Sequence, residues 1–113
     1  MADPQVVKDD AYEVLKATRR RLTSASFLFD LRSATGPERD QALHAITDSS
    51  LAVTKFRNAR LEKIAAEMRS NDAGIEAATK GLRSALEDLN KIKPFLDAAT
   101  AFLQIVARIV AIV

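Results

Sequence analysis

Apolar side chains recur every three or four residues over most of the chain, which is the spacing of one face of an α-helix. Ala, Leu, Glu, Lys and Arg fill the stretches between three glycines and three prolines, and these residue types favour helix. The pattern changes after Pro94, because residues 95–113 carry only two charged side chains, Asp97 and Arg108. The sequence therefore predicts an all-α protein whose last helix is far more apolar than the others.

The first predicted helix begins at Pro4, with Asp3 as its N-cap, and runs to about Ala34. Gly36 follows and can close it. Its apolar face consists of Val7, Ala11, Val14, Leu15, Leu22, Ala25, Leu28 and Phe29, with Thr18 in the same row. We expect this face to lie in a core.

The second predicted helix covers residues 37–70, and Thr35 with Glu38 has the spacing of a capping box at its start. Ser50 and Arg57 interrupt its apolar row. The core positions in that row are Leu43, Ile46, Val53, Leu61, Ile64, Ala65 and Met68. A short turn at residues 71–72 separates this helix from the next.

A heptad pattern marks the third segment, as in a short coiled-coil-like seam. The recurring residues are Ile75, Leu82, Leu89 and Leu96, with Ala78, Leu86 and Ile92 between them. The heptad phase continues through Pro94, which predicts one long helix bent at this proline. The alternative is a turn near Lys91–Pro94, after which Pro94 opens a fourth helix.

These elements predict a single helical-bundle domain over residues 1–113. At 1.5 Å per residue the first two helices would each be roughly 45 to 50 Å long, and an unbroken third would be about 58 Å. We predict an antiparallel bundle of three long helices with the third kinked at Pro94. An up-down four-helix bundle is the alternative.

The helix predicted over residues 95–113 is apolar over about 280° of its circumference, so another surface must cover it. The cover is either the rest of this chain, a second copy or protein partner, or lipid. Its predicted contact residues are Phe95, Leu96, Phe102, Leu103, Val106, Ile109, Val110 and Val113. A second predicted contact consists of Phe27, Leu28, Phe29 and Leu31, an apolar cluster wider than one helix face. A span of about 28 Å approaches a bilayer core, but Gln104 and the two charged residues disfavour insertion.

The sequence offers little chemistry. The only histidine, His44, lies four residues from both Asp40 and Asp48, on a face that we expect to be solvated, where such groups form local ion pairs rather than metal sites. The chain has no cysteine, no glycine-rich phosphate loop and no second histidine. We therefore predict no enzymatic activity, no metal or cofactor, and no small-molecule substrate.

Two basic stretches accompany a net charge of +2. The first comprises Lys8, Lys16, Arg19, Arg20 and Arg21, and the second comprises Lys55, Arg57, Arg60 and Lys63. Consecutive helical residues diverge by about 100°, so the triple arginine is not expected to form one compact patch. With one tyrosine and no tryptophan, any nucleic-acid binding is expected to be weak and electrostatic.

The sequence thus predicts a small non-enzymatic interaction or assembly module that uses the helix of residues 95–113 for core packing and for self-association or partner binding. A membrane-active protein that docks this helix on lipid is the first alternative. The second is a weak nucleic-acid binder. The N-terminus lacks a basic segment followed by an apolar run, so we expect a cytoplasmic location, and export without a signal peptide is compatible with the sequence.

Overall fold

A computed structural model describes residues 4–87 and 92–110. Within these ranges the chain contains α-helices and no strand, which confirms the all-α class. The elements are α1 (Pro4–Leu22), α2 (Ala25–Asp30), a 3₁₀ turn (Leu31–Ser33), α3 (Gly36–Asn58), α4 (Leu61–Ser70), α5 (Asp72–Glu87) and α6 (Ile92–Ile109). The described part therefore has six α-helices, rather than three long ones.

Two antiparallel helix pairs form the body of the protein. In the first pair, the Lys8 ammonium near the start of α1 donates to the Ala59 carbonyl just after α3, at 2.9 Å. In the second, Gly74 near the start of α5 faces Ile105 near the end of α6, so closely that a Cβ at position 74 would lie 3.7 Å from Ile105 Cδ1. Each pair is thus a helical hairpin.

The two hairpins lie side by side with parallel contacts between them, since α1 packs on α5 and α3 packs on α6. Arg21 at the end of α1 donates to the Ala85 carbonyl near the end of α5, at 2.9 Å. Because α3 and α5 are diagonal to each other, the chain must cross the bundle between them. The ten residues of α4 make this crossing, contact both α1 and α6, and bury Ile64 and Met68.

The predicted first helix is wrong beyond Leu22. Ser24 ends the helical hydrogen bonding, because its hydroxyl donates to the Arg21 carbonyl at 2.7 Å and accepts from the Phe27 N–H at 3.3 Å, which makes it the N-cap of α2. This break turns the chain, so three residues predicted to lie in the core are exposed instead. They are Ala25, Leu28 and Phe29.

The predicted second helix is divided at Ala59 and Arg60, where the backbone is extended. Its predicted core position Leu43 is wrong, since this side chain is 61% exposed. The buried face of α3 consists instead of Ala42, Ala45, Ser49, Ala52, Val53 and Phe56. Small side chains let α3 approach its neighbours closely, and the larger Leu43 points outward.

The predicted kinked third helix is replaced by α5 and α6, which pack against each other. Pro94 is the third residue of α6, in the first turn, where N–H groups have no intrahelical acceptor and a proline costs no bond. Ile75, Leu82 and Leu96 are buried as predicted. The alternative turn near Lys91–Pro94 falls partly outside the described residues, because Lys91 is not among them. Leu89, a predicted heptad position, also lies outside them. For Leu61, a predicted core position, the side chain lies outside the description.

The core is centred on α6, which buries side chains against α3, α4 and α5. These buried side chains are Phe95, Leu96, Ala99, Phe102, Leu103, Val106 and Ile109, followed by Val110. The hydroxyls of Thr18 and Thr79 are also buried, and each donates to the carbonyl one turn earlier in its own helix, at 2.8 and 2.6 Å. Buried polar groups thus have partners within their own helices.

Phe102→Ala should lower the free energy of unfolding by about 3 to 5 kcal/mol, because its ring is fully buried and its removal leaves a cavity. Leu43→Ala is the matched control, with an expected change within about 0.5 kcal/mol because this leucine is on the surface. Urea unfolding followed by circular dichroism measures both. Equal losses in the two variants would contradict the arrangement of α3 and α6.

Candidate interaction sites

The contact residues predicted on α6 lie inside the core of the same chain. Their exposed fractions range from 0% to 8% for Phe95, Leu96, Phe102, Leu103, Val106, Ile109 and Val110. Val113 lies outside the described residues. The outward side of α6 carries Asp97, Gln104 and Arg108 together with the small Ala101 and Ala107. A partner or a lipid could reach the buried contact residues only if this helix left the bundle.

The second predicted contact is divided by the structure between core and surface. Phe27 is 3% exposed, and its ring meets that of Phe95 edge to face with centroids 5.6 Å apart. The Arg21 guanidinium lies 4.1 Å from the Phe95 ring centroid and closes this corner from the end of α1. Leu31 is half-buried and packs against the core. Phe27 therefore anchors α2 to α6.

Leu28 and Phe29 are the exposed half of this cluster, and we call these two residues the α2 patch. Their exposed fractions are 47% and 66%. The Arg32 guanidinium lies 5.6 Å from the Phe29 ring centroid, so it covers part of one ring face. Because Phe27 anchors the helix, the α2 patch is held outward on a fixed support.

A basic groove of about 380 Å³ lies between α1 and α3. Its lining residues are Tyr12, Lys16, Arg19, Arg20, Thr23, Val53 and Arg57. Arg21 turns to the opposite side, toward Ala85, as the divergence of consecutive residues predicts. The groove nevertheless brings Arg19 and Arg20 together with a cation of the second basic stretch.

Sequence reasoning missed this groove. Tyr12, Lys16 and Arg20 recur every four residues, so they share one face of α1. This spacing is the sequence pattern from which the α1 wall of the groove could have been predicted. The contribution of Arg57 depends on the pairing of α1 with α3, which spacing alone does not reveal. The groove is therefore a product of tertiary packing.

His44 is exposed, as predicted, and so is Asp40, while Asp48 is half-buried. His44 and Asp48 border a groove of about 270 Å³ between α3 and α6 whose wall includes Leu103 and Gln104. Over residues 4–87 and 92–110, no group of three or more histidine or acidic side chains is arranged to hold a metal ion.

A polar cluster joins the starts of α3 and α6. The Lys93 ammonium donates to Asp97 Oδ1 at 2.8 Å, and the Gln41 amide donates to the same oxygen at 3.1 Å and to Thr100 Oγ1 at 3.0 Å. The hydrogen bond from Lys93, followed by that from Gln41, lowers the pKa of Asp97 below its ordinary value of 3.8, against the opposing effect of desolvation. The cluster fixes the register of α6 along α3.

Comparisons with protein-family models, with curated proteins and with solved structures find no match to this chain. Among the helices of the described residues, none combines the length and apolar character needed to cross a bilayer. The function of the candidate sites is therefore inferred from the chemistry of their residues alone.

Asp97 should make stability depend on pH in the acid range. Since its pKa is lower in the folded than in the unfolded chain, the ionised carboxylate stabilises the fold above pH 3.8, and this contribution disappears as the pH falls through the folded-state pKa. Asp97→Asn should therefore be less stable than the original chain at neutral pH, by a small amount because Asp97 is 54% exposed. Urea unfolding over a pH series should show the difference shrinking on acidification, and a difference that grows would contradict the assignment.

Proposed function

We propose that this chain is a small non-enzymatic helical module that acts through protein–protein contact, with the α2 patch as its contact surface and a second copy of the chain as the occupant. The observation that carries the proposal is the 66% exposure of Phe29 beside an exposed Leu28, on a helix anchored by the buried Phe27. Aromatic side chains such as Phe29 are enriched at protein–protein interfaces relative to the rest of the surface.

This contact surface lies on α2, whereas the sequence predicted the main contact residues on the helix that is now α6. The apolar side chains of α6 already pack within the chain, and exposing them would remove much of the core. The same cost applies to docking of α6 on lipid. Contact through the α2 patch leaves the bundle intact.

Charge complementarity favours a second copy. Asp30 and Arg32 follow the α2 patch in the chain and carry opposite charges. In a two-fold dimer the same surface is used by both copies, so Asp30 of one copy can face Arg32 of the other while the apolar side chains meet at the axis. The pair gives this small surface no net charge to repel its own copy.

The proposed association is weak and reversible. Leu28 and Phe29 together expose on the order of 200 Å², whereas a standard interface buries about 800 Å² on each partner. A contact of this size suits a module that assembles at high local concentration.

The decisive test is sedimentation velocity over protein concentrations from about 10 μM to 1 mM. The original chain should show an average mass that rises with concentration, and Leu28→Ser with Phe29→Ser should remain a monomer. Leu43→Ser is the matched control, because it removes an apolar side chain of similar exposure from α3 and should leave association unchanged.

Two results would contradict the proposal. A chain that stays monomeric over the whole range does not self-associate. Loss of association in Leu43→Ser, with the α2 variant unaffected, would place the interface on α3 instead.

A further inference from the structure

The geometry of the basic groove points to an anion site that takes a small soluble molecule carrying two or more phosphate groups. This site is separate from the α2 patch and does not depend on the proposed self-association. It lies between α1 and α3, and four of its seven lining residues are cationic, whereas none is acidic.

The cations of the groove have little compensation within the protein. Lys16 pairs with Glu13 at 3.0 Å and lies over the Tyr12 ring at 4.7 Å. Within the described part of the chain, the guanidinium groups of Arg19, Arg20 and Arg57 have no hydrogen bond or ion pair. Like charges placed along one groove repel one another, and a bound anion would offset this repulsion because it attracts each of the cations.

The chemistry of the side chains favours phosphate. A guanidinium presents a planar fork of N–H donors that matches two oxygens of a phosphate group, and such charge-assisted bonds are the strong ones. Tyr12 and Val53 add an apolar part to the wall, against which the non-phosphate portion of a ligand can lie.

The number and placement of the cations favour more than one phosphate group. Lys16, Arg19 and Arg20 lie within about 6 Å along α1 at 1.5 Å per residue, and Arg57 faces them from α3. One phosphate group carries about two negative charges at neutral pH, whereas the groove is lined by four cations. A ligand with two or three linked phosphates can contact guanidinium groups on both walls.

The surroundings favour a short ligand over a nucleic-acid strand. A volume of about 380 Å³ is in the range of small-molecule sites. Exposed carboxylates adjoin the Tyr12 end, since Asp9 lies almost one turn before Tyr12 and Glu13 follows it and pairs with Lys16, and they would repel a long polyanion. Acidic residues thus adjoin the groove at the Tyr12 end.

The probe is sodium tripolyphosphate, titrated into the ¹⁵N-labelled protein at constant ionic strength with sulfate as the reference anion. Amide shifts should concentrate at α1 residues 12–23 and around Val53 and Arg57. This measurement needs no variant, so it is independent of any effect on folding. Shifts spread evenly over all basic surfaces, or equal shifts with sulfate, would overturn the proposal.

Affinity measured by calorimetry provides the second test. Arg20→Gln with Arg57→Gln should weaken tripolyphosphate binding by about tenfold or more, because two charge-assisted contacts are lost. The matched control is Lys80→Gln with Arg83→Gln, which makes the same change in net charge at a different groove between α1 and α5. The control pair should change the affinity less than about twofold.

Two further binding experiments identify the kind of molecule that carries the phosphate groups. Vesicles containing anionic lipid and a short DNA duplex are each tested with the same two variant pairs. Binding to tripolyphosphate with neither vesicles nor duplex competing at physiological salt supports a small soluble ligand. Tighter binding to vesicles or to duplex, or equal loss in both variant pairs, would overturn the assignment.

Discussion

The apolar circumference of α6 is the constraint on which the rest of the structure depends. A helix with so few polar side chains needs neighbours on most of its sides. α3 and α5 cover two of these sides along its length, and α4 closes the end where the chain crosses the bundle. The parallel contacts between the two hairpins follow from this requirement, because placing α6 between α3 and α5 puts α3 and α5 on a diagonal.

This packing leaves function to the outer surfaces. Because most large side chains of α6 lie inside the chain, the exposed large apolar side chains of the described residues are few, and Phe29 is the most exposed among them. The break at Ser24 presents that residue, and the contact between Phe27 and Phe95 holds its helix in place. The pairing of α1 with α3 likewise creates the basic groove. Both proposed sites thus lie on surfaces that the packing around α6 leaves exposed.

Sequence reasoning predicted the helical class, the inner face of α1 from Val7 to Leu22, and the burial of Ile75 and Leu82, because these follow directly from periodicity. It failed where short polar groups redirect the chain, as at Ser24, and where the extended Ala59 and Arg60 break a helix without glycine or proline. It also placed Leu43 in the apolar row of the second helix, whereas the buried face of α3 consists mainly of small side chains. The joining of Arg20 with Arg57 depends on tertiary pairing, so no local pattern contained it.

Native-state hydrogen exchange of α6 tests most directly whether this helix is an integral part of the core. If α6 is integral to the core, the amides of Phe102, Leu103 and Val106 should exchange only through global unfolding, with the same free energy and urea dependence as the most protected amides of α1 and α3. Exchange of these α6 amides through a local opening of lower free energy, while α1 and α3 stay protected, would contradict this expectation. It would show that α6 is able to leave the bundle.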